Sequence, residues 1–175
     1  SNSAIAKVGD GATLQQTGSM LAPGAFRVDA SNQVNAKDRV KMASGGAVSA
    51  ASGSSKVLAD TNLAKVEVGD GATLSATGDL MLGARSIAGS IANPISTQTA
   101  VDVWGLVGVA PKGDSVSRFR ADNRIEVGSA ELRAQNDIRL NAGASTQYNP
   151  EIGSNTGVNE SFVTARTDVF NNTAI

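Results

Sequence analysis

The segment VGDGATLQQTGSM that begins at Val8 returns, sixty positions on, as VGDGATLSATGDL beginning at Val68. A third and damaged copy, VGSAELRAQNDIRL, begins at Val127 and keeps the same order of small, apolar and polar positions. Three related segments at nearly equal spacing mark a repeat architecture, in which a unit is stabilised by stacking on its neighbours. No other feature of the chain limits the fold as much.

The copies alternate with period two. Ala72, Leu74 and Ala76 share one face while Thr73, Ser75 and Thr77 share the other. Beyond Gly78 the pattern resumes with Leu80, Leu82 and Ala84 inward and Asp79 and Met81 outward. In the third copy Leu132, Ala134, Ile138, Leu140 and Ala142 are inward, and Glu131, Arg133, Asp137, Arg139 and Asn141 outward. Such alternation predicts strands with one buried face. Gln16 breaks the pattern by standing where Ala76 stands, so either an internal polar partner or a turn is expected there. Further strand-like runs are AFRVDA, RVKMA, KVLA, AVDVW and SVSRFR, and all four prolines fall between such runs. Proline cannot donate to a ladder, so these are read as corners. No stretch carries a capped helical stripe, and essentially no helix is expected.

Composition narrows the core. The chain is 41% hydrophobic but only 3% aromatic, with 19 glycines among 175 residues. Small aliphatic side chains fill a narrow space between stacked strands, not a wide interior. Dividing the repeat of about sixty into three predicts a β-solenoid of about nine turns of roughly 20 residues, forming a rod on the order of 40 Å long. One such turn buries too few aliphatics to offset its ordering entropy, so only a stack is stable.

The segments GATLSATGDLMLGA, IEVGSAELRAQNDIRLNAG and TARTDVFNNTAI together resemble the haemagglutinin-type repeats of large bacterial exoproteins, the filamentous-haemagglutinin-like surface adhesins. The resemblance implies a right-handed parallel β-helix and a structural stalk or adhesive segment, exported to the bacterial cell surface. It supplies no catalytic residue. On this reading residues 1–175 form one solenoid segment of a longer chain. Its expected partners are neighbouring repeats of that chain, other copies end to end through the apolar Val169, Phe170 and Ile175, and cell-surface glycans. The alternative is a carbohydrate-active β-helix, a polysaccharide lyase or hydrolase or a phage tailspike-like protein.

Chemistry is limited by what is missing. The chain has no histidine and no cysteine, so it has no imidazole base, thiol nucleophile, disulfide or thiolate metal site. Fifteen basic and sixteen acidic residues leave a net charge of -1 without a basic block, which disfavours nucleic-acid binding. The longest apolar run, 103–110, is far shorter than the roughly 20 residues of a membrane-spanning helix. No catalytic residue, cofactor or metal is expected. Asp10 and Asp70, in their VGDG segments, are read as turn residues, with calcium binding and catalysis as the alternatives. Asp60-Thr61-Asn62 and Asp122-Asn123 read as a second repeated corner. Asn159-Glu-Ser161 and Asn171-Asn-Thr173 match the glycan-acceptor pattern. Trp104, with Asp102 beside it, is the candidate binding site: an outward indole stacks on a sugar face. The competing reading packs Trp104 beneath the loop around Pro111. Loops 91–98 and 147–159 are candidate binding loops.

Overall fold

The computed structural model describes residues 1–19, 22–89, 95–108, 112–143, 152–158 and 163–174, with backbone alone at 105–108 and beyond 143. Among these residues there are thirteen strands and no helix. A first unit contains β1 (Asn2–Val8), β2 (Thr13–Gln16), β3 (Phe26–Val34) and β4 (Lys37–Ser49). A second contains β5 (Ser52–Val68), β6 (Thr73–Ala76), β7 (Leu80–Ala88) and β8 (Ile95–Gly108). A third contains β9 (Lys112–Val127), β10 (Glu131–Ala134), β11 (Ile138–Ala142) and β12 (Ile152–Val158), and β13 (Val163–Ala174) follows.

Each unit gives one strand to each of four separate parallel sheets, ordered β1-β5-β9-β13, β2-β6-β10, β3-β7-β11 and β4-β8-β12. Like pairs with like. Val8 lies opposite Val68 and Val68 opposite Val127, while Leu14, Leu74 and Leu132 form one row. The expected right-handed parallel β-helix of about nine 20-residue turns is therefore incorrect. Pairing joins residues about sixty apart, as Asn2 with Asn62, because the unit that repeats in sequence is also the unit that stacks. None of the four sheets closes or curls, which overturns the haemagglutinin-type resemblance drawn from the repeat text. The functional reading falls with it. Three or four strands at about 4.8 Å span only about 10–15 Å, giving a compact multi-sheet domain. It is neither the elongated stalk or adhesive segment nor the carbohydrate-active β-helix that the sequence led us to expect.

The middle unit is buried because it has a neighbour on both sides. Leu74, Leu80 and Leu82 are 0–1% exposed. Their row partners in the outer units are much more open: Leu14 at 37%, Ile138 at 46% and Leu140 at 36%. The face assigned from alternation is right in the middle unit, where Ala72, Leu74, Ala76, Leu80, Leu82 and Ala84 all lie in the core. In the third unit Leu132 is half-buried and Ile138 and Leu140 are exposed. A smaller cluster joins Val34, Val57, Ala88, Ile95, Phe119 and Ala121.

The interior between β8 and β9 is polar, and several of its hydroxyls are hydrogen-bonded locally. The hydroxyls of Thr97 and Ser117 lie 2.9 Å apart, and Thr99 Oγ1 donates to the Asp114 carbonyl at 2.5 Å. Such bonds remove most of the cost of burying a hydroxyl. The corner expected at Asp60-Thr61-Asn62 is instead a bulge within β5. Ala59 pairs with Phe119 and Asn62 with Ala121, leaving one extra residue on β5. The buried Asn62 amide spans the irregularity, donating to the carbonyls of Ala59 and Arg120, each at 2.7 Å. Asp122-Asn123 likewise lies within β9. At Gln16 the chain turns: the side chain is exposed and its amide donates to the Thr17 carbonyl at 3.3 Å. An extra loop follows in the first unit, drawn together by an antiparallel bridge between Ser19 and Ala22.

Leu74→Ala and Leu82→Ala should each cost about 2–5 kcal/mol, and Leu14→Ala and Leu140→Ala about 1 kcal/mol, because much of those side chains is already in water. Urea denaturation of the four variants checks this. Equal losses in all four would contradict the three-layer burial.

Candidate functional site

The Asp-Gly turns between the first two strands of the first and second units, and the Gly128-Ser129 turn of the third, stack into a continuous ladder. Gly69 N–H donates to the Val8 carbonyl and Gly128 N–H to the Val68 carbonyl, both at 2.9 Å. The next N–H in each case turns to a side chain. Asp70 N–H donates to Asp10 Oδ1 at 3.1 Å, and Ser129 N–H donates to Asp70 Oδ1 at 2.7 Å. The backbone then resumes, with Gly11 N–H donating to the Asp70 carbonyl and Gly71 N–H to the Ser129 carbonyl, each at 2.8 Å. Each carboxylate thus stands in for a ladder carbonyl at the point where the chain turns. A charged acceptor makes this bond stronger than a neutral one.

Two kinds of glycine make the turn possible. Gly11 and Gly71 have φ of 65° and 69°, a region L residues rarely adopt. Gly69 and Gly128 serve another purpose: a Cβ at either would collide with the Asp carboxylate of the preceding unit. The motif already contained this signal. The first glycine stands in all three copies, as Gly9, Gly69 and Gly128, whereas the positive-φ glycine is the residue that the third copy has lost, Ala130 taking the place of Ala72. Reading Asp10 and Asp70 as turn residues left the close approach at the preceding glycine unseen. Asp10 and Asp70 are turn residues with their carboxylates directed at the next unit. No group of three or more potential metal-binding side chains occurs among the described residues.

Beside the turns, ion pairs cross the same boundaries. Lys7, Glu67 and Glu126 form one row, which sets two like charges next to each other. Lys65 relieves the repulsion, with its Nζ 2.5 Å from Glu67 and 2.8 Å from Glu126, while Lys7 lies 3.5 Å from Glu67. The hydrogen bond to Glu126, then that to Glu67, raises the Lys65 pKa. The hydrogen bond from Lys65 is the main cause lowering that of Glu67. Arg139 is raised mainly by its hydrogen bond to Asp137, at 2.7 Å, with the charge of Asp79 adding to it. A shallow groove over these turns is lined by Lys7, Asp10, Glu67, Asp70 and Glu126.

Trp104 and Asp102, the predicted binding pair, are both exposed on β8, Trp104 at 66%, while Val101 between the sheets is buried. Their row partners are Gly45 and Ala43 respectively. The indole lies directly across Gly45, where any side chain would collide with it. An aromatic ring over a cross-strand glycine covers backbone that would otherwise face water. The structure does not bring Trp104 near the Asp-Gly turns. Pro111, residues 91–94 of the first candidate loop, and residues 147–151 and 159 of the second lie outside the described residues, as do Asn159, Glu160, Ser161 and Ile175.

No family model, curated protein or solved structure matches the chain.

Two outcomes follow from the turn. Gly128→Ala should cost about 1–3 kcal/mol through overpacking, and Asp70→Ala in the same chain should recover part of that loss, which a double-mutant cycle measures. Strict additivity would show that the carboxylate does not sit over Gly128. The lowered Glu67 pKa contributes stability above the ordinary carboxylate range, and this is lost as pH falls through the lowered value. The raised Lys65 pKa contributes below the ordinary amine range, and this is lost as pH rises through the raised value. Thermal melting should therefore decline on acidification, less steeply in Glu67→Gln. Identical acid profiles would contradict the pairing.

Proposed function

We propose that the chain is a non-enzymatic assembly module that adds further units of its own repeat to the open edges of its four sheets. The observation that carries this reading is the exposure of one set of core rows at the outer units. Leu14, Ile138 and Leu140 occupy the positions that Leu74, Leu80 and Leu82 occupy in the middle unit, where a neighbour on each side buries them completely. Parallel edges with matching apolar rows are natural acceptors for strand addition. The carboxylates of the turns are committed to backbone N–H groups and those beside them to lysine, which fits an interlocking role better than acid–base chemistry. The proposal keeps an exported, extracellular setting. A chain without cysteine needs no disulfide and forms none in such a setting.

Sedimentation velocity over a concentration series tests the reading. The average mass should rise with concentration, and Leu14→Lys or Ile138→Lys should weaken association about tenfold or more, since each places a charge in the joint. A chain that stays monomeric up to about millimolar concentration would overturn the proposal, 1 mM corresponding to only about 4 kcal/mol of binding free energy.

A further inference from the structure

The outer face of the β4–β8 pair carries a row of cations that the fold does not neutralise. Lys37, Arg39 and Lys41 alternate along β4 and are all exposed, and strand geometry sets neighbours in such a row about 6.7 Å apart. Arginines on other strands have a counter-charge close by. Arg27, Arg124, Arg133 and Arg139 each pair with an acid two residues away on the same strand. On either side of Arg39 the equivalent position holds a lysine. The nearest acid in sequence, Asp38, lies on the opposite face, and its carboxylate accepts from Ser55 Oγ at 3.0 Å and from Lys56 N–H at 2.8 Å. None of the three cations has a side-chain hydrogen bond or ion pair among the described residues.

The repeat supplies no acid to this row. In the same positions β8 carries Ser96, Gln98 and Ala100, and β12 carries Gly153, Asn155 and Gly157. The cations are therefore bordered by neutral and mostly small residues, which keep the face flat. Four residues beyond Lys41, about 13 Å along the strand, the Trp104 indole lies across Gly45 and stays 66% exposed. Asp102, also exposed, stands beside it in the row of Ala43.

We propose that this face binds an acidic polysaccharide, a uronate-bearing chain whose carboxylates lie along Lys37, Arg39 and Lys41 and one of whose sugar rings stacks on Trp104. Arg39 presents the planar fork that a carboxylate takes bidentately, and the lysines on either side act as point charges. The indole offers a rigid apolar surface for a pyranose ring. Asp102 repels anions and accepts hydrogen bonds from hydroxyls, so it sets the polarity of the site: acid groups at the Lys37 end, ring hydroxyls at the Asp102 end. A nucleic acid fits less well. Its regular phosphates would bring one against Asp102, a single aromatic is a poor stacking platform for successive bases, and a net charge of -1 provides no steering field. The face is distinct from the sheet edges invoked for assembly, and neither reading depends on the other.

Trp104 is the only tryptophan in the chain, so its fluorescence reports on this face alone. Titration with polygalacturonate oligosaccharides, followed by indole emission and by calorimetry, should give one saturable transition that weakens as salt screens the cations. Arg39→Ala and Lys41→Ala should each weaken binding about tenfold, the scale of one charge-assisted hydrogen bond. Trp104→Ala, followed by calorimetry, should weaken it by a similar factor. Arg133→Ala, which removes an arginine paired with Glu131 on a different sheet, should leave binding unchanged. The altered side chains are exposed, so melting temperatures should match that of the parent chain and separate lost binding from lost folding. Absence of binding, binding that leaves the indole emission unchanged, binding that survives Arg39→Ala, or equal binding of an uncharged galactan would overturn the proposal. Tighter binding of a single-stranded oligonucleotide than of the polyuronate would overturn it as well, and would assign the face to phosphate.

Discussion

The structure depends on one constraint: each unit must stack on the next in a register that places identical motifs on each other. Backbone ladder bonds hold the units together, and they would form equally well in any register with the right strand direction. The turn selects one. Asp10 Oδ1 meets Asp70 N–H only if Gly69 lies beneath it. A slip of one residue would put a side chain under that carboxylate. It would also turn the apolar row of Leu74, Leu80 and Leu82 to the outside.

With the register set, the rest of the energetics divides between two interiors. The part nearest the Asp-Gly turns is aliphatic, built from Ala, Val and Leu small enough to fit between closely spaced sheets. The part lined by β8 and β9 contains Thr97, Thr99, Ser115 and Ser117, all at most 2% exposed. Hydroxyl-to-hydroxyl and hydroxyl-to-carbonyl bonds take the place of hydrophobic packing there. Such an interior gains less from burial and more from geometry, so it depends on the aliphatic part for its stability. The charged rows outside add directional preference, because Lys65 must face both Glu67 and Glu126 to neutralise them.

Much of this was legible in the sequence. Alternation through Ala72, Leu74, Ala76, Leu80, Leu82 and Ala84 identified strands and their inward face, since period two survives in short runs. The stacking distance was misread because a turn of about twenty residues was assumed and the repeat divided to fit it. The near-identity of the segments at Val8 and Val68 pointed to direct pairing of the two. Asn62 looked like a corner because Asp, Thr and Asn favour turns, yet its amide satisfies the carbonyls beside a bulge. The exposure of Ile138 and Leu140 was not legible, since an alternating pattern reports which face a residue occupies and not whether a neighbour covers it. The close approach over Gly69 and Gly128 was visible only by comparing which glycine survives in the third copy.

Engineered disulfides give the most direct measurement of like-on-like stacking, because the chain has no cysteine of its own. Gln15 on β2 and Ser75 on β6 are row partners, and adjacent strands about 4.8 Å apart put their Cα atoms within disulfide reach. Gln15→Cys with Ser75→Cys should oxidise readily to an intramolecular bond that mass spectrometry locates. Gln15→Cys with Asn35→Cys, twenty positions apart, should not. Cross-linking of the second pair in preference to the first would contradict the sixty-residue register.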